Sequence, residues 1–129
     1  MTSLCSGAQW SGEQLNCISR SGELLIATRR SDATLRGWVP IWVVCVDGSV
    51  YVRTWYRRTT GWFGHVLSLP QARIRVPGLE TDVVIADVGA ADLGLRASID
   101  AAYGMKYGTG HQAMITDDAA ATTLRLDPR

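Results

Sequence analysis

The feature that most constrains the fold is the segment from Val39 to Val46, which is almost wholly apolar and rich in β-branched residues. Such a run predicts a strand whose two faces are both covered, and we expect it to be central in a sheet. The Asp47-Gly48 pair that follows is typical of a tight hairpin turn, because both residue types tolerate positive φ. The return strand should then run from Ser49 to about Trp55.

Alternation along this return strand separates two kinds of side chain. Successive residues of a strand point to opposite faces of the sheet. Val50 and Val52 should therefore face a core, whereas Tyr51, Arg53 and Trp55 share the other face. We expect this second face to be a wet, partly apolar surface.

The rest of the chain shows patterns of short strands and helices. Ser11 and Gln14 have the spacing of a capping box, which predicts an N-terminal helix. Turn and alternation patterns predict the following further elements: a strand at Glu23 to Arg29, a helix at Thr60 to Leu67, a hairpin of Ala72 to Val76 with Glu80 to Ala86, a helix at about Ala90 to Met105, and a strand at Thr122 to Leu126. These elements predict a single α+β domain built on a small antiparallel barrel or curled sheet. A helix-free sandwich is the alternative.

Composition excludes several classes of protein. The chain is 47% hydrophobic and 19% charged, which is typical of a globular protein. Its apolar runs are far shorter than the roughly 20 residues that a membrane helix needs, and its first residues lack a secretory pattern, so we expect a cytoplasmic protein without a membrane partner. Three scattered cysteines and two distant histidines indicate neither a disulfide framework nor a metal site.

Arginine is concentrated in one part of the chain. Residues 29 to 75 contain eight arginines and only two acidic residues. The planar guanidinium group is well suited to carboxylate and phosphate, so an anionic or aromatic small molecule is the expected partner. Nucleic acid is not expected, because the sequence pI is only about 7.7 and no recognised binding motif occurs.

The candidate site is the stretch YVRTWYRRTTGWF, residues 51 to 63. Alternatively, its arginines could lie on a solvated strand edge, where their charges prevent pairing with another sheet, and its tryptophans could form a dimer contact. His65 follows Trp62 by three residues, which places both on one face of the predicted helix. A histidine beside a pocket can exchange protons near neutral pH, although a partly exposed helical histidine without a special role is the alternative.

Several segments resemble the bacterial DUF2255 family across nearly the whole chain: ELLIATRRSDATLRGWVPIWVVCVDGSVYVRT, RIRVPGLETDVV, IDAAYGMKY and ATTLRLDPR. This family is similar in turn to the split-barrel group that includes flavin- and deazaflavin-dependent oxidoreductases. The resemblance implies an antiparallel split β-barrel of about six strands with flanking helices. It also implies a homodimer that holds its cofactor near the interface.

By this resemblance, the segment from Arg53 to Trp62 corresponds to the loop that receives the phosphate of FMN or a deazaflavin. The implied cofactor-binding residues are Arg53, Arg57, Arg58, Thr59 and Thr60 at the phosphate, with Trp55 and Trp62 over the ring. The leading hypothesis is an oxidoreductase that acts on a small organic substrate. One alternative is a cofactor-free cyclase or isomerase of polyketide-like biosynthesis, with His65 and Tyr56 as catalytic residues, and a further alternative is a non-enzymatic ligand-binding protein.

Overall fold

The computed structural model describes residues 10–53, 61–89, 93–108, 115 and 117–128. Helices and strands alternate in an α+β arrangement. In chain order the elements are α1 Gly12–Arg20, β1 Leu24–Thr28, β2 Val39–Ile41, β3 Val43–Val46, β4 Ser49–Val52, α2 Gly61–Ser68, β5 Gln71–Val76, β6 Leu79–Asp87, α3 Leu93–Tyr107, α4 Asp117–Ala120 and β7 Leu124–Pro128.

All seven strands form one antiparallel sheet in the order β2-β1-β5-β6-β7-β4-β3. The two edge strands, β2 and β3, are separated in the chain by the single residue Trp42. The two edges of the sheet must therefore lie side by side, which curls the sheet into a nearly closed barrel. The predicted α+β barrel is confirmed, and the count is six strands if β2 and β3 are taken as one bent strand.

The prediction of one central strand from Val39 to Val46 was wrong. The run breaks at Trp42, and its two halves occupy opposite edges of the sheet. Its apolar character has another cause, because Val43 packs in the barrel core while Val44 packs beneath α3. The expectation that both faces are covered is confirmed.

The barrel interior is filled by aliphatic side chains from the inner faces of the strands. They include Leu24, Ile26, Val43, Val50, Val52, Ile74, Val83 and Leu126. Each such side chain contributes roughly 1.5–3 kcal/mol when it is fully buried. Apolar burial in the barrel is therefore the main stabilising term of the fold.

Local sequence signals fix the helix start and the hairpins as predicted. The Ser11 hydroxyl accepts from the Gln14 amide at 3.1 Å, and the Gln14 side chain accepts from the Ser11 amide at 2.8 Å. Asp47 and Gly48 have φ values of 50° and 82°, and Gly78 has a φ of 87° in the β5–β6 turn. The capping box and both hairpins are confirmed.

Helix α3 covers the outer face of β3 and β4. Tyr51 and Arg53 lie beneath it with 6% and 2% of their surface exposed. The expectation that this face is wet was therefore wrong, although its separation from the valine face is confirmed. Trp42 lies at the same cluster and stacks on Tyr107, with ring centroids 4.1 Å apart. No helix within the described ranges has the length and apolar character needed to cross a membrane.

Candidate functional site

Arg53 follows β4 and is buried between the sheet and α3. Its Nε donates to Thr123 Oγ1 at 2.8 Å, and one terminal nitrogen donates to Asp100 Oδ1 at 2.6 Å. The guanidinium also lies over the Tyr103 ring, 5.6 Å from its centroid. These contacts join β4, α3 and the residue before β7, while a contact between Arg53 and a phosphate stays a prediction.

The structure describes only part of the rest of the predicted site. Trp55, Tyr56, Arg57, Arg58, Thr59 and Thr60 lie outside the described residues, as does the side chain of Trp62. Of the predicted set, Arg53 and His65 are the two with described side chains, and Arg53 lies beneath α3 whereas His65 lies on α2. In the described part of the chain, no group of three or more His, Cys, Asp or Glu residues could hold a metal ion.

His65 lies near the end of α2, a helix that packs against β1. Val66 next to it is buried in the barrel core and fixes the orientation of the helix. His65 itself is half-buried. Its imidazole lies close enough to Arg30 and Arg36, in the segment between β1 and β2, for their charges to act on it.

The segment from Arg30 to Arg36 is held in a tight turn. The Arg30 amide donates to the Thr34 carbonyl at 2.8 Å, and Asp32 Oδ1 accepts from the Thr34 amide at 3.0 Å. An aspartate that bonds the backbone two residues ahead is typical of such turns. The Arg36 amide then donates to the Thr28 carbonyl at 2.8 Å. The side chains of both arginines are therefore attached to a part of the backbone that is held by hydrogen bonds.

The two arginines of this segment and the preceding Arg29 differ in what they contact. Arg29 donates to the Ala33 carbonyl and to Asp82, each through a terminal nitrogen, although its Nε is buried without a partner. Arg30 donates to the Leu35 carbonyl at 2.8 Å. The partly buried side chain of Arg36 makes no hydrogen bond or ion pair within the described residues, and its Nε is buried and unsatisfied.

An unsatisfied buried donor on a charged group is costly. Because the Arg36 Nε is shut off from solvent, an anion would reach this guanidinium at its terminal nitrogens. Arg30 and Arg36 were not among the predicted site residues. The excess of arginine between residues 29 and 75 signalled an anionic partner, but nothing in the sequence distinguishes an unpaired guanidinium from one that already has a carboxylate.

The electrostatics of His65 agree with a positively charged site. Burial, followed by the charges of Arg36 and Arg30, lowers the pKa of His65 below its ordinary value of 6.5. Within the described ranges, no carboxylate offsets these charges at the imidazole. The neutral imidazole of His65 is therefore favoured at neutral pH.

An open basin of about 590 Å³ adjoins the turn on the outer face of β1, β5 and β6. Its charged residues pair with one another: Arg73 with Glu80 at 2.7 Å, and both Arg73 and Arg29 with Asp82 at 3.0 and 2.7 Å. Ala33 and Arg29 line the basin, so it borders the turn that carries Arg30 and Arg36.

The chain shares its fold with several solved structures of low sequence identity. HutZ, the heme storage protein from Vibrio cholerae, is 14% identical with a TM-score of 0.65, covering 94% of this chain and 91% of that chain. A putative 5-nitroimidazole antibiotic resistance protein from Bacteroides thetaiotaomicron is 11% identical with a TM-score of 0.61, covering 92% and 79%. An F420 reductase is 13% identical with a TM-score of 0.50, covering 98% and 96%.

These likenesses confirm the split-barrel fold with flanking helices. No curated protein matches the chain. The family model of DUF2255, described as an uncharacterised protein conserved in bacteria, matches residues 14–126. The chain therefore belongs to the DUF2255 family.

Proposed function

We propose that this protein binds FMN or a deazaflavin through its phosphate and uses it for oxidation or reduction of a small organic substrate. The observation that carries the proposal is the partly buried guanidinium of Arg36, which has no partner within the described residues and whose charge, with that of Arg30, acts on His65. A phosphate would accept charged hydrogen bonds from the terminal nitrogens of Arg36. The bound cofactor would supply hydride transfer, a reaction that ordinary side chains cannot perform.

The fold supports the same proposal. Heme and F420, which are named in two of the similar structures, are both flat redox molecules with acidic groups. The basin beside the Arg30–Arg36 turn offers space for a flat ring next to the cationic site. In this proposal Arg30 and Arg36 hold the phosphate together with Arg57, Arg58, Thr59 and Thr60, while Trp55 and Trp62 cover the ring.

The remaining proposed roles are structural support and proton exchange. Arg53 braces the start of the loop against α3 through Asp100 and Thr123. His65 and Tyr56 are the candidates for proton exchange with the substrate. We also propose that the protein works as a homodimer in the cytoplasm, on a small molecule and without nucleic acid.

Flavin titration tests the proposal and separates it from its alternatives. The purified protein is titrated with FMN, with a deazaflavin and with riboflavin, which lacks the phosphate, and binding is followed by flavin fluorescence. We expect micromolar or tighter binding of a phosphorylated cofactor and much weaker binding of riboflavin. Indifference to every flavin and deazaflavin would contradict the proposal and favour the cofactor-free cyclase or isomerase.

A further inference from the structure

We infer that the side chains of Lys106 and Tyr107, in the last turn of α3, form a detachable wedge between β1 and β3, and that these two strands pair directly when the wedge leaves. The inference goes beyond the proposed function, because it involves neither a cofactor nor the residues proposed to hold one. It describes two arrangements of the same chain, one wedged and one paired.

The ladder between β1 and β2 would continue into β3 if nothing lay between the strands. Its register joins Leu24 to Ile41, so Gly22 would lie opposite Val43 two residues farther along. Positions two residues apart in an antiparallel ladder are of the same hydrogen-bonded kind. Pro40, which has no amide hydrogen to donate, lies at the alternate position. The register therefore predicts a hydrogen-bonded pair of Gly22 with Val43.

Side chains from α3 occupy the bonding positions of this pair instead. The Tyr107 hydroxyl accepts from the Val43 amide at 3.0 Å and donates to the Gly22 carbonyl at 2.8 Å. Lys106 Nζ donates to the Val43 carbonyl at 2.7 Å. Gly22 is exposed, and its amide has no hydrogen-bond partner within the described residues. Because one hydroxyl oxygen separates the Val43 nitrogen from the Gly22 oxygen, an approach of about 3 Å or less would let them bond directly.

The last turn of α3 is held less firmly than the rest of the helix. Ile99 and Tyr103 are buried and fix the earlier turns on the sheet. In the last turn, Met105 is 90% exposed, and Lys106 is half-buried without a carboxylate partner in the described part of the chain. Burial lowers the pKa of Lys106, because its charge is partly withdrawn from water. Gly104 precedes this turn, and glycine in a helix weakens it.

The aromatic stack opposes release of the wedge. The rings of Tyr107 and Trp42 are 4.1 Å apart and within 3° of parallel, and Trp42 joins β2 to β3. Release loses this stack and the side-chain hydrogen bonds, but it gains two backbone hydrogen bonds and hydrates the Lys106 ammonium group. Because these gains offset much of the loss, the paired arrangement is a minor state of the wild type.

Amide hydrogen exchange followed by NMR tests the inference in Tyr107→Ala, which removes the ring and the hydroxyl. We expect exchange of the Gly22 amide to slow by about tenfold or more, while the Val43 amide stays protected, because each amide then bonds to the other residue. Met105→Ala is the control, because this exposed residue of the same turn should affect neither amide. Continued free exchange of the Gly22 amide in Tyr107→Ala would overturn the inference, since Tyr107 would then be a fixed brace.

The wild type provides a second test that needs no substitution. The Val43 amide is free while it changes partner, so it should exchange about tenfold or more faster than the amide of Ile41 in the neighbouring ladder. Its exchange should also be insensitive to low urea, because local release exposes little surface. Exchange of Val43 at the rate and urea dependence of Ile41 would show that the turn leaves only on global unfolding, and would overturn the inference.

Discussion

Arg53 and Arg36 are both shielded from solvent, although to different degrees. They differ in whether the guanidinium group has hydrogen-bond partners. Arg53 is 2% exposed, and its guanidinium is bonded to Asp100 and Thr123. Arg36 is partly buried, and its Nε has no partner. A buried charge is tolerated when it is paired, and an unpaired one is a candidate for ligand binding. We therefore expect Arg53 to serve chiefly the fold, and Arg36 is the residue that we propose for the ligand.

Replacement of Arg53 by methionine should destabilise the fold strongly. The change removes the charged hydrogen bond to Asp100 and the hydrogen bond to Thr123 beneath α3, although Asp100 keeps Arg96 at 3.6 Å. Loss of one charged and one neutral hydrogen bond costs about 2–4 kcal/mol. Urea denaturation measures the free energy of unfolding. The control is Arg75→Met, because Arg75 is exposed and pairs with Glu80 at the surface, where a change below about 1 kcal/mol is expected. Equal losses in the two variants would contradict the bracing role of Arg53.

The stability of the ligand-free protein should depend on His65 in mildly acidic solution. Its pKa is lowered in the folded state, so the unfolded chain binds more protons at pH values between that lowered pKa and 6.5. This contribution to stability should be present above pH 6.5 and decline as pH falls through the window. Unfolding of the wild type and of His65→Gln, compared from pH 5 to 7, checks it. A pH dependence unchanged by the substitution would show that His65 is not perturbed as described.

The sequence predicted some of the important residues of the candidate site and missed others. His65 could be chosen because it shares a helical face with Trp62. Arg30 and Arg36 could not be chosen from the sequence. Whether an arginine has a carboxylate partner depends on residues that folding brings together from distant parts of the chain. Arg53 was identified as a residue of interest, but the covering helix α3 could not be foreseen from the alternation in β4.

At the scale of elements, the junction between β6 and β7 depends on a close backbone approach. Gly89 follows β6, and its amide donates to Asp87 Oδ1 at 2.9 Å. The Val88 amide donates to the Thr123 carbonyl at 2.9 Å, which holds this junction against the start of β7. A Cβ atom at Gly89 would collide with the backbone carbonyl of Ala121. Glycine is therefore required here, because a larger residue would displace the backbone at Ala121.

Replacement of Gly89 by alanine should cost about 1–3 kcal/mol, because the backbone at Ala121 must move to admit the methyl group. Thermal or urea unfolding provides the measurement. The matched control is Gly12→Ala at the start of α1, where a Cβ would meet nothing within 4 Å. A loss at Gly12 as large as that at Gly89 would contradict the steric explanation.

Element prediction succeeded where the signal is local. The capping box of Ser11 and Gln14 and the turns at Asp47-Gly48 and Pro77-Gly78 depend on residues close in sequence, and all three are confirmed. The position of the Val39–Val46 run was wrong because strand order depends on pairing with distant strands. A run that crosses between the two edges of a barrel is as apolar as one at the centre of a flat sheet.

At the scale of the whole molecule, the strand order of the sheet positions the candidate site. Strands β1, β5 and β6 are consecutive neighbours that form one wall, the Arg30–Arg36 turn follows β1, and α2 packs against β1. The similar structures share this fold at 11–14% identity. Such low identity indicates that the architecture tolerates wide sequence change, so function must be argued from the side chains at the site.

We predict that the protein is a dimer in solution, with a mass about twice the 14.0 kDa of one chain. We also predict that Trp55→Ala with Trp62→Ala leaves the dimer intact and weakens flavin binding, because the proposal places these rings over the cofactor. Light scattering coupled to size exclusion gives the mass, and fluorescence titration gives the affinity. Conversion of the double variant to a monomer would instead assign the tryptophans to the subunit interface.

The central claim is that Arg36 holds the phosphate of a flavin-type cofactor, and the Kd of FMN for Arg36→Ala tests it most directly. Arg20→Ala is the control, because Arg20 is exposed on α1 and its side chain bonds, among the described residues, only to the Asn16 carbonyl. Loss of one charged hydrogen bond, about 1.5–3 kcal/mol, predicts an affinity weaker by about 10- to 100-fold at Arg36 and unchanged at Arg20. An equal Kd for wild type and both variants would contradict the account.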